Sequence, residues 1–340
     1  MPRVIGIDAG TVSLDVCGLD DGRVFLERSF PTRDAVLNPA LVAGLLISAT
    51  PIDLIVAPSG YGMPVTPARD LSDADLTLAF LAAAGEPGGI GGLRALVRAL
   101  ARLPFEVVLT PGVVHLASVP PHRKVNRVDM GTADKVCAVA LALREHAARG
   151  RRRPLDTSFV LLELGGAFTA AVAVEDGRIV DGLGGTSGPL GARAAGALDG
   201  EVAFLAGQVS KQMLFGGGVE TIGEPIGSQA YRESVLKALA ALAVSAPRAR
   251  DVILSGRHAG SLQAMLSARP EFAGRQVHRL GDPASVSKQG AQGAALIADG
   301  LAGGEGALIV DALGLRHAAG TVLDHLHVIT AAAARSRLGI

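Results

Sequence analysis

Residues 5–24 read IGIDAGTVSLDVCGLDDGRV, and residues 160–179 read VLLELGGAFTAAVAVEDGRI. The two stretches align without a gap at an offset of 155 residues, the separation of Asp8 and Glu163. Gly10 then meets Gly165, and Asp20-Asp21-Gly22-Arg23-Val24 meets Glu175-Asp176-Gly177-Arg178-Ile179. Each copy is an apolar strand, an acid–glycine turn, a second strand, an acidic turn ending in Gly, and a third strand. Asp-Gly between apolar runs is a strong hairpin signal. The repeat predicts two homologous α/β domains, each opening on an antiparallel three-stranded meander.

The rest of the chain fits that frame. Helical spacing recurs at 38–48, 93–102, 128–148, 230–244 and 284–300, and short apolar runs at 52–58, 105–111 and 251–256 read as strands. Alternation of this kind after a meander is the pattern of α/β layers. The Arg- and Pro-rich stretch 149–155 is the expected junction, giving domains 1–150 and 156–340. Residues 58–92, rich in Pro and Gly, are expected to form a long loop.

Composition narrows the function classes. The 340 residues are 49% hydrophobic but only 3% aromatic, so the cores must be built from Ala, Val, Leu and Ile. Lys plus Arg equals Asp plus Glu at 32 each, which argues against a nucleic-acid binder acting through its overall field. Cys17 and Cys137 form no metal-type spacing and no disulfide framework, and the eight histidines show no zinc signature. No apolar run reaches the ~18 residues of a membrane span, and the N-terminus enters a strand directly. A cytoplasmic protein with no membrane partner is expected.

An acid at a strand end, followed by small residues, places a carboxylate beside exposed backbone N–H groups. Gly10, Thr11 and Ser13 are expected to hold phosphate oxygens, as backbone nests do, with Asp8 and its repeat counterpart Glu163 as the expected Mg²⁺ carboxylates. The second copy, Glu163 with Gly165, Gly166 and Thr169, would grip the same phosphates from the facing domain.

Five pieces, in order, resemble the motifs of the superfamily of acetate and sugar kinases, Hsp70 and actin. Asp8-Ala9-Gly10-Thr11 resembles its first phosphate motif, and Glu163-Leu164-Gly165-Gly166-Ala167-Phe168-Thr169 its second. Gly131-Thr132-Ala133-Asp134-Lys135 resembles the first connecting motif, and Gly290-Ala291-Gln292-Gly293-Ala294-Ala295 the second. Leu254-Ser255-Gly256-Arg257 resembles the adenosine motif. More narrowly, DAGTVSLDVCGLDDGRVF, APSGYGMP and VDMGTADK look like a family of predicted butyrate kinases. The resemblance implies two RNase-H-like (actin-like ATPase) domains with ATP and Mg²⁺ in a central cleft, and nucleotide contacts at Ser255, Gly256 and Arg257. Three features depart from the usual pattern. Glu163 stands where many members have Asp, Arg257-His258 stands where a second glycine is common, and the chain is shorter than most acetate kinases.

Phosphoryl transfer asks for alignment and charge neutralisation. A carboxylate acceptor is ionised already and needs no base. It needs a cation against repulsion, for which Arg127 and Lys135 are the candidates. A hydroxyl acceptor would need a base, Asp129 or Asp134. Ser59 and Tyr61 in the 58–64 loop, and Thr186, Ser187 and Arg193 in the 184–193 loop, are candidates to line the small-molecule acceptor site. Gly216 and Gly217 could let the chain pass close to the nucleotide. The expected activity is an ATP-dependent small-molecule kinase. The alternative is an ATP-binding regulatory or activator protein acting on a protein partner. The segment 311–328 carries no readable motif, and packing or a homodimer contact is its default role.

Overall fold

A computed structural model describes residues 2–82 and 92–340. The first sheet has six strands: β1 (Arg3–Ala9), β2 (Ser13–Asp20), β3 (Arg23–Pro31), β4 (Leu54–Val56), β5 (Thr66–Pro67) and β6 (Val107–Leu109), in the order β3-β2-β1-β4-β6-β5. The second has five: β7 (Phe159–Leu164), β8 (Thr169–Glu175), β9 (Arg178–Leu183), β10 (Asp251–Ser255) and β11 (Val277–Arg279), in the order β11-β10-β7-β8-β9. Each meander is antiparallel and continues into parallel pairs, β1 with β4 and β7 with β10.

The internal repeat is visible atom by atom. Gly10 N–H donates to Ser13 O at 2.9 Å, and Gly165 N–H donates to Phe168 O at 3.0 Å. A bulge falls at Gly18/Leu19 in one meander and at Ala173/Val174 in the other, at the offset read from sequence. Both hairpins turn through positive φ at Asp21-Gly22 (51° and 70°) and Asp176-Gly177 (49° and 69°). That is the type I′ geometry which Asp-Gly favours.

Packing builds five layers. The outer face of the first sheet (Ile5, Ile7, Leu14, Val16, Ile55) is covered by the helices Ala40–Ser48, Asp73–Phe80 and Gly92–Leu100. The outer face of the second (Val160, Leu162, Ala171, Val252) is covered by Ile226–Ser245 and Ala259–Ser267. Between the two sheets lie two connecting helices, Ala133–Gly150 and Gln289–Leu301. Gln289–Leu301 packs on β1 and β2, although it lies in the second half of the sequence. Ala133–Gly150, from the first half, contacts β7 and β8. The two cross so closely that a Cβ on Gly293 would lie 1.8 Å from Cys137 O.

One expectation changes. Residues 58–82 are not loop throughout, because Asp73–Phe80 is a helix. Ser72 and Asp75 cap it reciprocally, with Asp75 N–H donating to Ser72 Oγ at 3.1 Å and Ser72 N–H to Asp75 Oδ2 at 2.9 Å. The remainder of the expected loop, 83–91, lies outside the described residues. The segment 311–328 packs inward, burying Leu313, Leu315, Val322 and Leu323 in the central core. Among the described residues, no helix is long and apolar enough to cross a membrane.

Candidate active site

The ends of β1 and β7 bring the two acid–glycine turns together. A Cβ on Gly166 would lie 3.3 Å from Val12 Cγ2 and 3.8 Å from Thr11 Oγ1, so the turns meet across the space between the sheets. Asp8 and Glu163 stand at the base of these turns. Four carboxylates and two ammonium groups share this base: Asp8, Asp15, Asp134, Glu163, Lys135 and Lys288.

Each charge has an identifiable setting. Burial pushes the Asp8 carboxyl up to about 7, and Asp134 adds to that, while Lys288 and Lys135 oppose it. Glu163 is also raised by burial, against Lys135. Burial would raise Asp134 as well, but Lys135 and the Thr132 hydroxyl hold it below the usual carboxylate range. Lys135 Nζ lies 2.6 Å from Asp134 Oδ2 and 3.4 Å from Glu163 Oε2. Burial works against its charge, but these carboxylates prevail and raise its affinity for the proton. Lys288 Nζ donates to Ser13 O at 2.8 Å and pairs with Asp15 Oδ2 at 3.1 Å. The helix Gln289–Leu301 begins against Asp8, where a Cβ on Gly290 would sit 2.6 Å from Asp8 Oδ2. A helix N-terminus at that point favours negative charge.

The predicted residues divide by what holds them. Gly10 N–H is consumed within its own turn, and Ser13 Oγ donates to Asp15 Oδ2 at 2.8 Å. The amides of Thr11 and Val12 have no hydrogen-bond partner among the described residues, so they are the donors left for an anion. Thr169 is corrected outright. Its side chain is 0% exposed and its hydroxyl bonds Tyr231 Oη at 3.4 Å, so it faces the core. Ser59 is likewise corrected: it is buried, donates to Ala57 O at 2.8 Å and accepts from Thr110 N–H at 2.9 Å.

Asp129 and Asp134 do not stand ready as bases. Asp129 Oδ2 accepts from Thr186 N–H and Thr186 Oγ, both at 3.0 Å, and Oδ1 accepts from Gly131 N–H at 3.2 Å. Its carbonyl accepts from Ser187 Oγ. Asp129 therefore staples the 184–187 loop to the first connecting motif, with Thr186 and Ser187 as its partners. Tyr61 lies near it, in the range of Asp129's charge. Arg127 Nη1 lies 3.4 Å from Ser187 O, and the Arg193 guanidinium has no partner among the described residues. Gly217 bridges Ala194, and Gly218 N–H donates to Arg193 O at 2.7 Å. The 216–218 glycines thus brace the Arg193 loop. Ser255 is buried, with Oγ 3.5 Å from Gln289 Oε1, and Gly256 adopts φ of 89° where a Cβ would strike Leu164 O. Arg257 is exposed beside them.

Asp15 and Lys288 were missed by the sequence reading. Asp15 is the cross-strand partner of Asp8 in the β1–β2 register, so pairing the two strands would have found it. Lys288 stands two residues before Gly290, just ahead of the second connecting motif.

Among the described residues, no three His, Cys, Asp or Glu side chains are arranged to hold a metal ion by themselves. A hydrated Mg²⁺ carried by phosphates needs only one or two carboxylates. Asp8 fits that need, being a buried carboxyl that its neighbours leave under-neutralised. Glu163 fits it less well, because Lys135 Nζ stands 3.4 Å from its Oε2.

The profile of the family described as "Protein of unknown function (DUF1464)" matches residues 6–328. A search of curated proteins finds no match. Among solved structures, acetate kinase from Entamoeba histolytica is similar at TM-score 0.55 and 10% identity, over 80% of this chain and 85% of that one. A propionate kinase from Francisella tularensis is similar at TM-score 0.56 and 12% identity, over 86% and 99%. Acetate kinase from Porphyromonas gingivalis is similar at 0.54 and 12%, over 81% and 87%. The two α/β domains therefore have the acetate and sugar kinase/Hsp70/actin fold.

Proposed function

From the premise that this chain belongs to the DUF1464 family, we propose that it is an ATP- and Mg²⁺-dependent kinase for a small carboxylate acceptor, butyrate kinase-like in chemistry. The observation that carries the reading is the close approach of the two acid–glycine turns, such that a Cβ on Gly166 would meet Val12 and Thr11.

In this reading the Thr11 and Val12 amides, with Gly166 opposite, would cradle the phosphates, the Gly165 amide being held within its own turn as that of Gly10 is. Asp8 would hold Mg²⁺, which supplies charge neutralisation on phosphate oxygens. The Ser255–Arg257 turn would border the adenosine. Lys135 pairs with Asp134 and Glu163 and offsets one of their two charges, so the phosphates do not face two bare carboxylates. A hydroxyl acceptor would need a base, yet both candidates are engaged: Asp129 by three donors, Asp134 by Lys135 and Thr132. A carboxylate needs none, since it is ionised at neutral pH. Arg127, Arg193 and Tyr61 would line its pocket.

The test is incubation of the protein with ATP, Mg²⁺ and a panel of short-chain acids, sugars and alcohols, following acceptor-dependent ADP release for all of them and trapping acyl phosphate as hydroxamate for the acids. Product with an acid and none with sugars or alcohols is the expected result. Nucleotide binding without product across the panel would reject the kinase reading in favour of a regulatory nucleotide binder acting on a protein partner.

A further inference from the structure

We propose that Lys288 is the cation that contacts the terminal phosphate of the nucleotide, and that Glu27 is the residue that positions it. The inference rests on the nucleotide reading above and adds a residue to it.

Lys288 sits in the bowl of the first acid–glycine turn. Its ammonium is 2.8 Å from Ser13 O and 3.1 Å from Asp15 Oδ2, and a Cβ on Gly10 would lie only 2.5 Å from it. Thus Gly10 leaves the room that Lys288 occupies. The free amides of Thr11 and Val12 belong to the same turn. Of the two lysines at the base of the cleft, only Lys288 can turn to a ligand. Lys135 is 14% exposed and wedged between two carboxylates, whereas Lys288 is 37% exposed and holds one carboxylate and one carbonyl. Exchange of that carbonyl for a phosphate oxygen leaves the ammonium with as many partners as before and makes the hydrogen bond charge-assisted at both ends.

The chain around Lys288 is fixed to the first sheet. Glu27, on β3, accepts from Val286 N–H at 3.3 Å, from Ser287 N–H at 3.2 Å and from Ser287 Oγ. This clamp seats residues 286–288 on the first sheet, so the ammonium travels with the turn it serves. Lys288 stands at the N-cap position of the helix whose start abuts Asp8, with its side chain turned to Ser13 and Asp15 and not to the helix amides.

The test is calorimetric titration of the full chain, with Mg²⁺, against ADP and against a β,γ-nonhydrolysable ATP analogue at low and high salt. Lys288→Met is expected to weaken analogue binding about 10- to 100-fold, the range of one charged hydrogen bond, with a smaller effect on ADP. The salt dependence should flatten, and Lys288→Arg should restore part of the affinity. Glu27→Gln should weaken analogue binding in the wild-type background and do nothing further in Lys288→Met. If Lys288→Met does not fold, Lys288→Gln is read by the same outcomes. Wild-type analogue affinity in the Lys288 variant, or equal losses for ADP and analogue, overturns the assignment. Failure of the wild type to bind either nucleotide rejects the nucleotide reading itself.

Discussion

Replacing Gly293 by Ala tests whether the central helix crossing is as tight as it looks. The added Cβ would lie 1.8 Å from Cys137 O and 2.4 Å from Cys137 C. Both are backbone atoms, so no side-chain rotation relieves the clash. Reaching even 3.0 Å requires the axes to part by about 1.2 Å. The helix Gln289–Leu301 has no room to retreat, because its other side rests on β1, where a Cβ on Gly6 would meet Ala295 N at 2.0 Å. Ala133–Gly150 must therefore lift away. Gaps of this size forfeit a quarter to a half of the dispersion attraction per contact. Val136, Ala140 and Ile297 are buried in this layer and lose packing together. The higher helix propensity of Ala returns at most ~1 kcal/mol. The net cost is about 3 kcal/mol. With an unfolding entropy of ~2.1 cal/mol/K per residue, that lowers Tm by about 4 °C if both halves unfold together. The control is Gly44→Ala in the helix Ala40–Ser48, where nothing lies within 4 Å and a gain of up to ~1 kcal/mol is expected. Scanning calorimetry on both variants should give shifts of opposite sign. A Gly293→Ala protein that melts at or above the wild-type temperature would refute the crossing.

Three further outcomes follow from the cleft. Gly166→Ala would set a Cβ 3.3 Å from Val12 Cγ2, a contact that the Val12 side chain can relieve by a small shift, and should lower nucleotide affinity at least tenfold with little change in Tm; unchanged binding by calorimetric titration would separate the turns from any ligand. Burial raises Asp8 from 3.8 to about 7, so its contribution to stability is complete below the lower value, fades as pH rises, and is lost above the upper one. Asp8→Asn cannot ionise and should gain on the wild type between pH 4 and pH 8, reaching about 4 kcal/mol without Mg²⁺; a difference in urea unfolding that ignores pH contradicts this. Lys135→Met strands Asp134 and Glu163 and should cost about 3 kcal/mol at pH 8, with less loss at pH 5, where those carboxylates take up protons; equal losses at both pH values would show the pair is not buried as described.

The sequence carried the fold because the fold is written twice. The acid–glycine turn and the Asp-Gly hairpin are local signals, and a common offset joined them into long-range information. Residues whose roles depend on register were harder. Thr169 occupies a turn-like motif, yet the strand alternation of β8 directs it to the core. Ser59 follows a strand and reads as pocket lining, yet its hydroxyl is used to tie down Thr110. Asp129 looks like a base until its three donors are known. Lys288 reaches Ser13 across 275 residues of chain, and nothing local announces such a contact. The capped helix Asp73–Phe80 was legible in Ser72-x-x-Asp75 but was obscured by the Pro and Gly around it.

The matching hairpins, bulges and turns make the two halves near-equivalent scaffolds, whereas a triphosphate has a head and a tail. Equivalence must be broken somewhere for such a molecule to bind in one direction only. The lysines contribute to that difference: Lys135 bridges the acid of the second half to Asp134, while Lys288 pairs with Asp15 and not with Asp8. Under the proposed nucleotide reading, those two side chains reinforce a direction that the frame already has from the adenosine turn assigned to the second half.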